Sequence, residues 1–360
     1  MIAAMDDAAP PRTDQAVLDD LRARLRAYRA VEGTGEHGWD RGTEPGYLAE
    51  LLASWAGEYD WRPHEERIRA LPWQLAGGLR VVHQRAADPA APAVVLLHGW
   101  PDSVLRYERV LPLLTDVHVV VPALPGYPFA APLPERDLSS AEMAPYVAAA
   151  MTELGYDRYV VSGGDIGRFV ATSLALHRPD DVAALHLTDV PLFAAFTSEP
   201  ASDEERDLRE RVTQWRAAEG GYMHEHATKP HTLAVALGDS PAGLAAWIVE
   251  KLRSWSDCGG DVEQVFTRDE LLTWVTAYWV SGSIGTSFAP YAKQSPPFER
   301  IDVPTVVQQF PGELVRSPRS VAERLFDLRG WRDETAGGHF AAWERPEEFV
   351  AGVREALALA

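Results

Sequence analysis

The chain has 360 residues, of which 46% are hydrophobic and 24% charged, as is usual for a globular protein with a large core. Its net charge of -19 disfavours nucleic acid and anionic membrane surfaces as partners, because both repel an acidic protein. The single cysteine, Cys258, excludes an internal disulfide and predicts a reducing, cytoplasmic location. Neither a signal peptide nor a run of ~18 apolar residues is recognisable, so neither export nor a membrane span is expected.

The N-terminal part of the chain is predicted to be mainly helical. Residues 1–14 mix acids, prolines and alanines and are expected to lack order. Apolar residues at helical spacing then predict one helix near 18–28 and a second near 48–55. Two short strand-like runs follow between residues 73 and 84.

After residue 86 the pattern becomes that of an α/β core. The runs at 93–97 and 117–121 are apolar on both faces, which is typical of parallel strands covered by helices. Further strands are predicted at 159–162 and 183–188, with helical patterns between them. This alternation with short turns predicts a doubly wound, mostly parallel sheet.

The strand pattern lapses for about a hundred residues, a length typical of an inserted helical subdomain. Capping-box patterns at Ser202 and Thr267 predict helix starts in this insert. Strand patterns return at 305–309 and near 325–328. We therefore divide the chain into an N-terminal segment (1–86), a first core part (87–191), a helical cap (192–298) and a second core part (299–360).

The candidate nucleophile is Asp165, in a Gly-Gly-Asp-Ile-Gly turn at 163–167 between a strand and a helix. Small residues around one side chain at such a turn are typical of a nucleophile elbow. The usual serine attacks carbonyl carbon, whereas a carboxylate displaces a leaving group at saturated carbon and forms an ester that water can cleave. The turn therefore favours opening of a strained ether or expulsion of a halide. The alternative is that Asp165 only caps the next helix.

Hydrolysis of such an ester needs a base to activate water and an acid to orient that base. His339 lies in a glycine-rich loop after the last strand, where this fold order places the base. Glu313 directly follows the strand at 305–309 and is the candidate acid. Spacing alone does not choose between Glu313 and three rivals, which are Asp302, Asp327 and Asp333.

Two backbone N–H groups are predicted to stabilise the oxyanion formed when the ester breaks down. They belong to Ile166, directly after the nucleophile, and to Trp100, in the His-Gly-Trp-Pro segment at 98–101. Opening an epoxide also produces an alkoxide that needs a proton donor, and tyrosines of the insert are candidates. Tyr222 and Tyr291 both lie at breaks between helices, although the residues alone favour a packing role for each.

The ordered motifs resemble the microsomal-type epoxide hydrolases, which include the juvenile-hormone enzymes, along nearly the whole chain from about residue 18. The matching segments include Gly-Trp-Asp-x-Gly at 38–42, Glu-Tyr-Asp-Trp-Arg at 58–62, Gly-Gly-Asp-x-Gly at 163–167, Gly-Tyr-Met-His at 221–224, Thr-Lys-Pro at 228–230, Phe-Pro-x-Glu at 310–313 and Gly-Gly-His-Phe at 337–340. The resemblance implies an α/β-hydrolase fold with a helical cap and an N-terminal segment that wraps the core.

The resemblance also implies the chemistry and the residues that perform it. In that family Asp165 would be the nucleophile, Glu313 the acid and His339 the base. Tyr222 and Tyr291 fall where the family has its two epoxide-activating tyrosines. A small-molecule epoxide is then the expected substrate, with no metal or organic cofactor. The membrane anchor of the mammalian members is not recognisable, which implies a soluble enzyme, and a homo-oligomer stays open.

Two positions depart from the family's pattern. Ile166 replaces the usual tryptophan after the nucleophile, which keeps the N–H but trims the pocket wall, so a different or bulkier substrate is expected. Asp102 stands where glycine is common, and the residues do not indicate its effect. Rival hypotheses are a haloalkane dehalogenase, an epoxide-opening cyclase and an inactive binding protein on the same scaffold. A dehalogenase usually holds the halide with an indole N–H at position 166, which isoleucine cannot supply.

Overall fold

The computed structural model describes residues 8–31, 37–133, 137–196, 198–293 and 299–360. In these ranges the strands are β1 (Trp73–Ala76), β2 (Leu79–Gln84), β3 (Ala93–Leu97), β4 (His118–Pro122), β5 (Tyr159–Gly163), β6 (Val182–Leu187), β7 (Ile301–Gln309) and β8 (Phe326–Asp333). The helices are α1 (Gln15–Arg26), α2 (Pro45–Gly57), α3 (Trp61–Arg69), α4 (Ser140–Glu153), α5 (Ile166–His177), α6 (Asp203–Glu219), α7 (Gly221–Thr228), α8 (Pro230–Asp239), α9 (Pro241–Ser254), α10 (Arg268–Ser281), α11 (Ala289–Ala292), α12 (Arg319–Leu325), α13 (Ala341–Glu344) and α14 (Pro346–Leu357).

The eight described strands form one sheet in the order β1-β2-β4-β3-β5-β6-β7-β8. The pairs β1–β2 and β2–β4 are antiparallel, and the pairs from β4 to β8 are parallel. Strands β3, β4, β5 and β6 are buried along their whole length. Such burial needs helices on both faces, which is why these strands read as continuous apolar runs. The predicted mostly parallel α/β-hydrolase fold is confirmed.

Parallel pairing brings the carboxyl ends of the central strands to one edge of the sheet. Leu97 at the end of β3 lies opposite Gly163 at the end of β5, and Gly163 lies opposite Leu187 at the end of β6. Leu187 in turn pairs with Val307 in β7. Ligands of open α/β sheets bind outside the carboxyl ends of the strands. The loops that leave β3, β5, β6 and β7 are therefore the ones that build a site.

Between β6 and β7 the described chain is helical and contains α6 to α11. At the start of α10, both side-chain bonds of the capping box predicted at Thr267 form. The prediction for Ser202 is half right, because its hydroxyl accepts the Glu205 N–H but the reciprocal bond does not form. The Glu205 carboxylate instead accepts bonds from Ser320 and Arg324, at 2.7 and 2.6 Å. This tertiary pairing ties α6 to the core.

The N-terminal segment packs against the inserted helices. The indole of Trp55 donates to the hydroxyl of Thr276 at 3.0 Å, and the hydroxyls of Tyr59 and Thr273 lie 3.0 Å apart. Both threonines belong to α10. Since buried polar groups need partners, these bonds fix where the segment meets the cap.

The expected disorder of residues 1–14 is wrong for residues 8–14, and residues 1–7 lie outside the described ones. Ala8 and Ala9 are buried. The carbonyl of Ala8 accepts a bond from Arg80 at 2.8 Å, and the Thr13 N–H donates to the buried carboxylate of Glu65 at 2.6 Å. Composition failed here because the backbone partners lie more than fifty residues away in the chain.

In the described ranges, no single helix is long and apolar enough to cross a bilayer. The helices α8 and α9 together, with a bend of 114° between them, have the length and apolar composition of a span, by those two properties alone.

Candidate active site

Asp165 occupies a strained turn between β5 and α5. Its φ of 53° and ψ of -128° lie in a region that residues other than glycine rarely adopt. Gly167 permits the close packing of the turn, because a Cβ there would lie 2.0 Å from the carbonyl oxygen of Leu97. Gly99 leaves room for the carboxylate, since a Cβ there would lie 2.4 Å from Asp165 Oδ1. The sequence thus places a carboxylate at the carboxyl edge of the sheet.

The two oxygens of Asp165 have different surroundings. Oδ1 accepts the Trp100 N–H at 2.8 Å, and the Ile166 N–H also bonds this carboxylate. Oδ2 lies 3.8 Å from Nε2 of His339. Among the described residues, the Asp165 side chain makes no capping bond to the N–H groups further along α5, so the geometry differs from that of a simple helix cap. Both N–H groups predicted for the oxyanion therefore meet the predicted nucleophile.

Glu313 is the acid that lies beside His339. The Nδ1 of His339 and Oε1 of Glu313 lie 2.9 Å apart, and both side chains are almost completely buried. The backbone N–H of His339 donates to the Trp255 carbonyl at 2.8 Å, and the two rings meet edge to face at 5.2 Å. The three rival acids pair elsewhere, Asp302 with Arg300, Asp327 with Arg329 and Asp333 with Arg316.

The charges of this cluster perturb one another. Burial lowers the pKa of His339, but the charges of Glu313 and Asp165 and the bond to Glu313 outweigh it and raise that pKa to about 9. Burial raises the pKa of Glu313, and the charge of His339 reverses this, so the pKa of Glu313 is lowered. Burial raises the pKa of Asp165 despite the charge of His339. The resting pair at neutral pH is therefore an imidazolium on a carboxylate.

The pair is expected to make stability depend on pH. The folded pKa of His339, about 9, exceeds the ordinary 6.5. The charged histidine therefore stabilises the folded state fully below pH 6.5, and this stabilisation is lost as pH rises through about 9. The loss amounts to on the order of 3 kcal/mol of unfolding free energy. Urea titrations should show the difference in unfolding free energy between wild type and His339→Gln narrowing from pH 7 to 10.

The control for this titration is His177→Gln, because His177 bonds the Ser173 carbonyl rather than an acid. The difference in unfolding free energy between wild type and His177→Gln should stay constant from pH 7 to 10. A constant difference for His339→Gln would contradict the charged pair.

The inserted helices place Tyr222, in α7, and Tyr291, in α11, beside the oxyanion loop. Tyr222 stacks on Trp100 with ring centroids 5.4 Å apart, and the centroids of Tyr222 and Tyr291 are 6.0 Å apart. Burial raises the pKa of both phenols well above the usual value, and the charge of Asp165 raises it further. Both phenols therefore keep their protons. The two hydroxyls lie close enough for a contact between the phenols to offset part of the rise in the Tyr222 pKa, so one ligand oxygen could meet both.

Three side chains that support the site were missed by the sequence reasoning. Asp189 accepts the Asp165 N–H at 3.1 Å and Nε of Arg168 at 2.6 Å, which holds the elbow backbone. Arg106 donates to the carbonyl of His339, and the Trp255 ring packs edge to face against the His339 ring. Asp189 could have been found, because it follows β6 beside the elbow strand. Nothing local in the sequence marks Arg106 or Trp255.

Two cavities lie at different distances from this chemistry. One of about 440 Å³ adjoins the charge pair and is lined by Glu313, Leu314 and Trp215 among others. The other, about 870 Å³, lies between residues 9–14 and the loop at 125–133 and is lined by none of the predicted catalytic side chains. The arrangement of titratable groups, and not cavity size, identifies the site.

Similarity to known proteins extends over nearly the whole chain. Residues 9–107 match the family described as the epoxide hydrolase N terminus, and residues 92–237 match the α/β hydrolase fold. A protein of Stigmatella aurantiaca (strain DW4/3-1), provisionally named an epoxide hydrolase, is 34% identical over 95% of this chain and 82% of its own length.

Two solved structures are similar to this chain over nearly its whole length. An enantioselective mutant of the epoxide hydrolase from Aspergillus niger has a TM-score of 0.86 and 30% identity, covering 97% of this chain and 96% of that one. The juvenile hormone epoxide hydrolase of the silkworm Bombyx mori has a TM-score of 0.86 and 28% identity, covering 97% and 93%.

Proposed function

The chain belongs to the epoxide hydrolase family and is an enzyme of that kind, and on this premise we propose how its residues divide the reaction. Asp165 is the nucleophile, the phenols of Tyr222 and Tyr291 hold the epoxide oxygen, and His339 with Glu313 activates water. The observation that carries this proposal is the 3.8 Å separation between Nε2 of His339 and Oδ2 of Asp165. A base at that distance leaves room for a water molecule that attacks the carbonyl carbon of the Asp165 ester.

In the first step, Oδ2 of Asp165 forms a bond to an epoxide carbon. The C–O bond on the opposite side breaks, and its electron pair moves to the epoxide oxygen. A phenol of Tyr222 or Tyr291 gives its proton to that oxygen, which yields a hydroxy ester and a phenolate. The buried phenols are protonated at neutral pH, so the donor is in the correct state before the substrate binds.

Ester formation changes the charge around the base. Asp165 loses its negative charge, which is one of the causes that raise the pKa of His339. The imidazolium therefore becomes more acidic and gives its proton to the phenolate. His339 is then neutral and held through Nδ1 by Glu313. Alkylation of the nucleophile thus generates the base that the second step needs.

In the second step, neutral His339 takes a proton from water and the oxygen of that water adds to the carbonyl carbon of the Asp165 ester. The N–H groups of Trp100 and Ile166 stabilise the resulting oxyanion. Collapse expels the diol oxygen, which takes the proton of the new carboxylic acid. Asp165 is again a carboxylate and His339 an imidazolium. The diol therefore leaves with one oxygen that came from Asp165.

Removing both phenols is expected to lower kcat/KM far more than removing either one alone. Each of Tyr222→Phe and Tyr291→Phe should lower kcat/KM by about 10- to 100-fold, because one donor remains, and the double variant by about 10³-fold or more. Initial rates of diol formation measure this. Tyr159→Phe is the matched control, since its phenol is also buried without a described partner but lies in β5, and it should stay near wild type. Equal rates for the double variant and the control would contradict the assignment.

A haloalkane dehalogenase is the second candidate because one donor could hold a halide. The indole N–H of Trp100 is buried and has no partner among the described residues. Ile166, however, has no side-chain donor, so the pair of indoles usual for halide release is incomplete. We therefore expect epoxides to be hydrolysed and bromoalkanes to release little or no bromide.

A panel of aryl and alkyl epoxides and bromoalkanes tests the proposed function. Product masses that exceed the epoxide by one water support hydrolysis, and unchanged masses would support cyclisation. Bromide release without diol formation would favour the dehalogenase. Binding of epoxides without turnover would favour an inactive binding protein.

The finer substrate class and the cellular setting are also proposals. The isoleucine at position 166 leaves more space beside the nucleophile than a tryptophan would, which supports a bulky epoxide. The net charge of -19 supports a protein without nucleic-acid or membrane partners, and the single cysteine supports a cytoplasmic location.

A further inference from the structure

Asp102 and Arg106 form a buried ion pair behind the oxyanion loop. Their side chains are 0% and 2% exposed, and a carboxylate oxygen of Asp102 accepts a hydrogen bond from the guanidinium of Arg106. The other carboxylate oxygen accepts the Gly99 N–H at 2.9 Å. The hydroxyl of Tyr278 donates to the backbone carbonyl of Asp102 at 3.0 Å. The backbone is therefore held both before and after the Trp100 N–H.

Arg106 extends this support to the histidine loop. Its second amino group donates to the backbone carbonyl of His339, 233 positions along the chain. The guanidinium also lies 5.6 Å from the ring centroid of Phe340. The guanidinium also lies near the elbow, since a Cβ at Gly164 would be 3.7 Å from Nη2 of Arg106. One side chain thus bonds Asp102 in the oxyanion loop and the His339 carbonyl, and lies near the turn that carries the nucleophile.

The pair is charged under ordinary conditions. Burial raises the pKa of Asp102, but the charge of Arg106 and the contact with His98 lower it to about 2. A buried ion pair seldom adds net stability over apolar residues of similar size, because both charges lose their hydration. A role in orienting the loops accounts for its presence.

We propose that Asp102 and Arg106 are positioning residues that hold the oxyanion N–H groups and His339 in one frame for hydrolysis of the Asp165 ester. This inference rests on the covalent mechanism proposed above. The Trp100 N–H already bonds the free carboxylate, and negative charge decreases there during attack on the epoxide. Only interactions that strengthen in the transition state accelerate a step, so this donor favours the tetrahedral oxyanion and not the attack. His339 likewise acts as a base only in the second step.

The test separates the two steps in a single turnover with excess enzyme and a styrene-type epoxide. Ester formation and decay are followed by intact mass after rapid quenching. Replacing Arg106 alone would leave Asp102 buried and unpaired, which endangers folding. The main variant is therefore the double change Asp102→Asn with Arg106→Met, which keeps an acceptor for the Gly99 N–H. We expect ester hydrolysis to slow by about tenfold or more and ester formation to change by less than about threefold.

Two further variants separate positioning from general loss of stability. Arg106→Lys keeps the charge but cannot present two amino groups in a fixed fork, so it should show the same selective slowing to a smaller degree. Tyr107→Phe is the matched control, because it removes the buried bond from the same turn to the Leu97 carbonyl, 2.8 Å long. The control should lower stability without changing the ratio of the two rates.

Each outcome decides the inference. Selective slowing of hydrolysis in the double variant, absent from Tyr107→Phe, supports it. Equal slowing of both steps, unchanged hydrolysis, or the same selectivity in the control would overturn it while leaving the covalent mechanism intact. A wild-type enzyme that forms no ester would overturn the mechanism and the inference together.

Discussion

Replacing His339 with glutamine is expected to give an enzyme that reacts once with its epoxide and then stops. Glutamine preserves much of the volume but cannot take a proton from water, whereas Asp165 and the two phenols remain in place. Ester formation should continue, and steady-state turnover should fall by about 10³-fold or more. Intact mass should rise by one substrate mass per chain, and peptide mapping should locate the added mass on Asp165.

The control for this experiment is His177→Gln, which removes a histidine outside the site and should turn over at the wild-type rate without a lasting adduct. Circular dichroism confirms that both variants are folded. Turnover of the His339 variant within tenfold of wild type, or an adduct on another residue, would contradict the assignment of the base.

Replacing Asp165 with asparagine should abolish both the adduct and the diol. The amide is not a competent nucleophile toward an epoxide, so turnover should fall by about 10⁴-fold or more. The fold should survive, since the raised pKa of Asp165 means that its buried charge is unfavourable and a neutral side chain relieves that cost. Rates, intact mass and the unfolding midpoint in urea measure these three effects.

The mass of the purified Asp165 variant must show that the amide has not reverted to an acid. Under that condition, diol formation above about 1% of the wild-type rate would show that another group attacks the epoxide. A folded, inactive variant that still binds the substrate is the expected result.

The central strands were predictable because their signal is local. Strands β3, β5 and β6 are buried on both faces, and full burial demands the continuous apolar runs that the sequence displays. The elbow was predictable because its pattern of glycines around Asp165 is also local, although the contact that requires Gly167 is with the Leu97 carbonyl in another strand. Each of these signals lies in a short segment of sequence.

The supporting contacts depend on residues far apart in the chain and were not predictable from local patterns. Glu313 could not be separated from its rivals, because its contact with His339 depends on how two loops lie in space. The link from Arg106 to the His339 carbonyl joins positions 233 residues apart. The hydrogen bond that Arg80 donates to the Ala8 carbonyl was not predictable for the same reason. The catalytic roles of the residues brought together remain predictions that the experiments above test.

The covalent step is tested most directly by one turnover in water labelled with oxygen-18, with enzyme in excess over epoxide. If Asp165 forms the ester and water attacks its carbonyl carbon, the first diol carries no label. The label then enters the carboxylate of Asp165 and is found by mass analysis of the peptide that contains it. A first diol that contains the heavy oxygen, with an unlabelled Asp165, would mean that water opens the epoxide directly and would contradict the account.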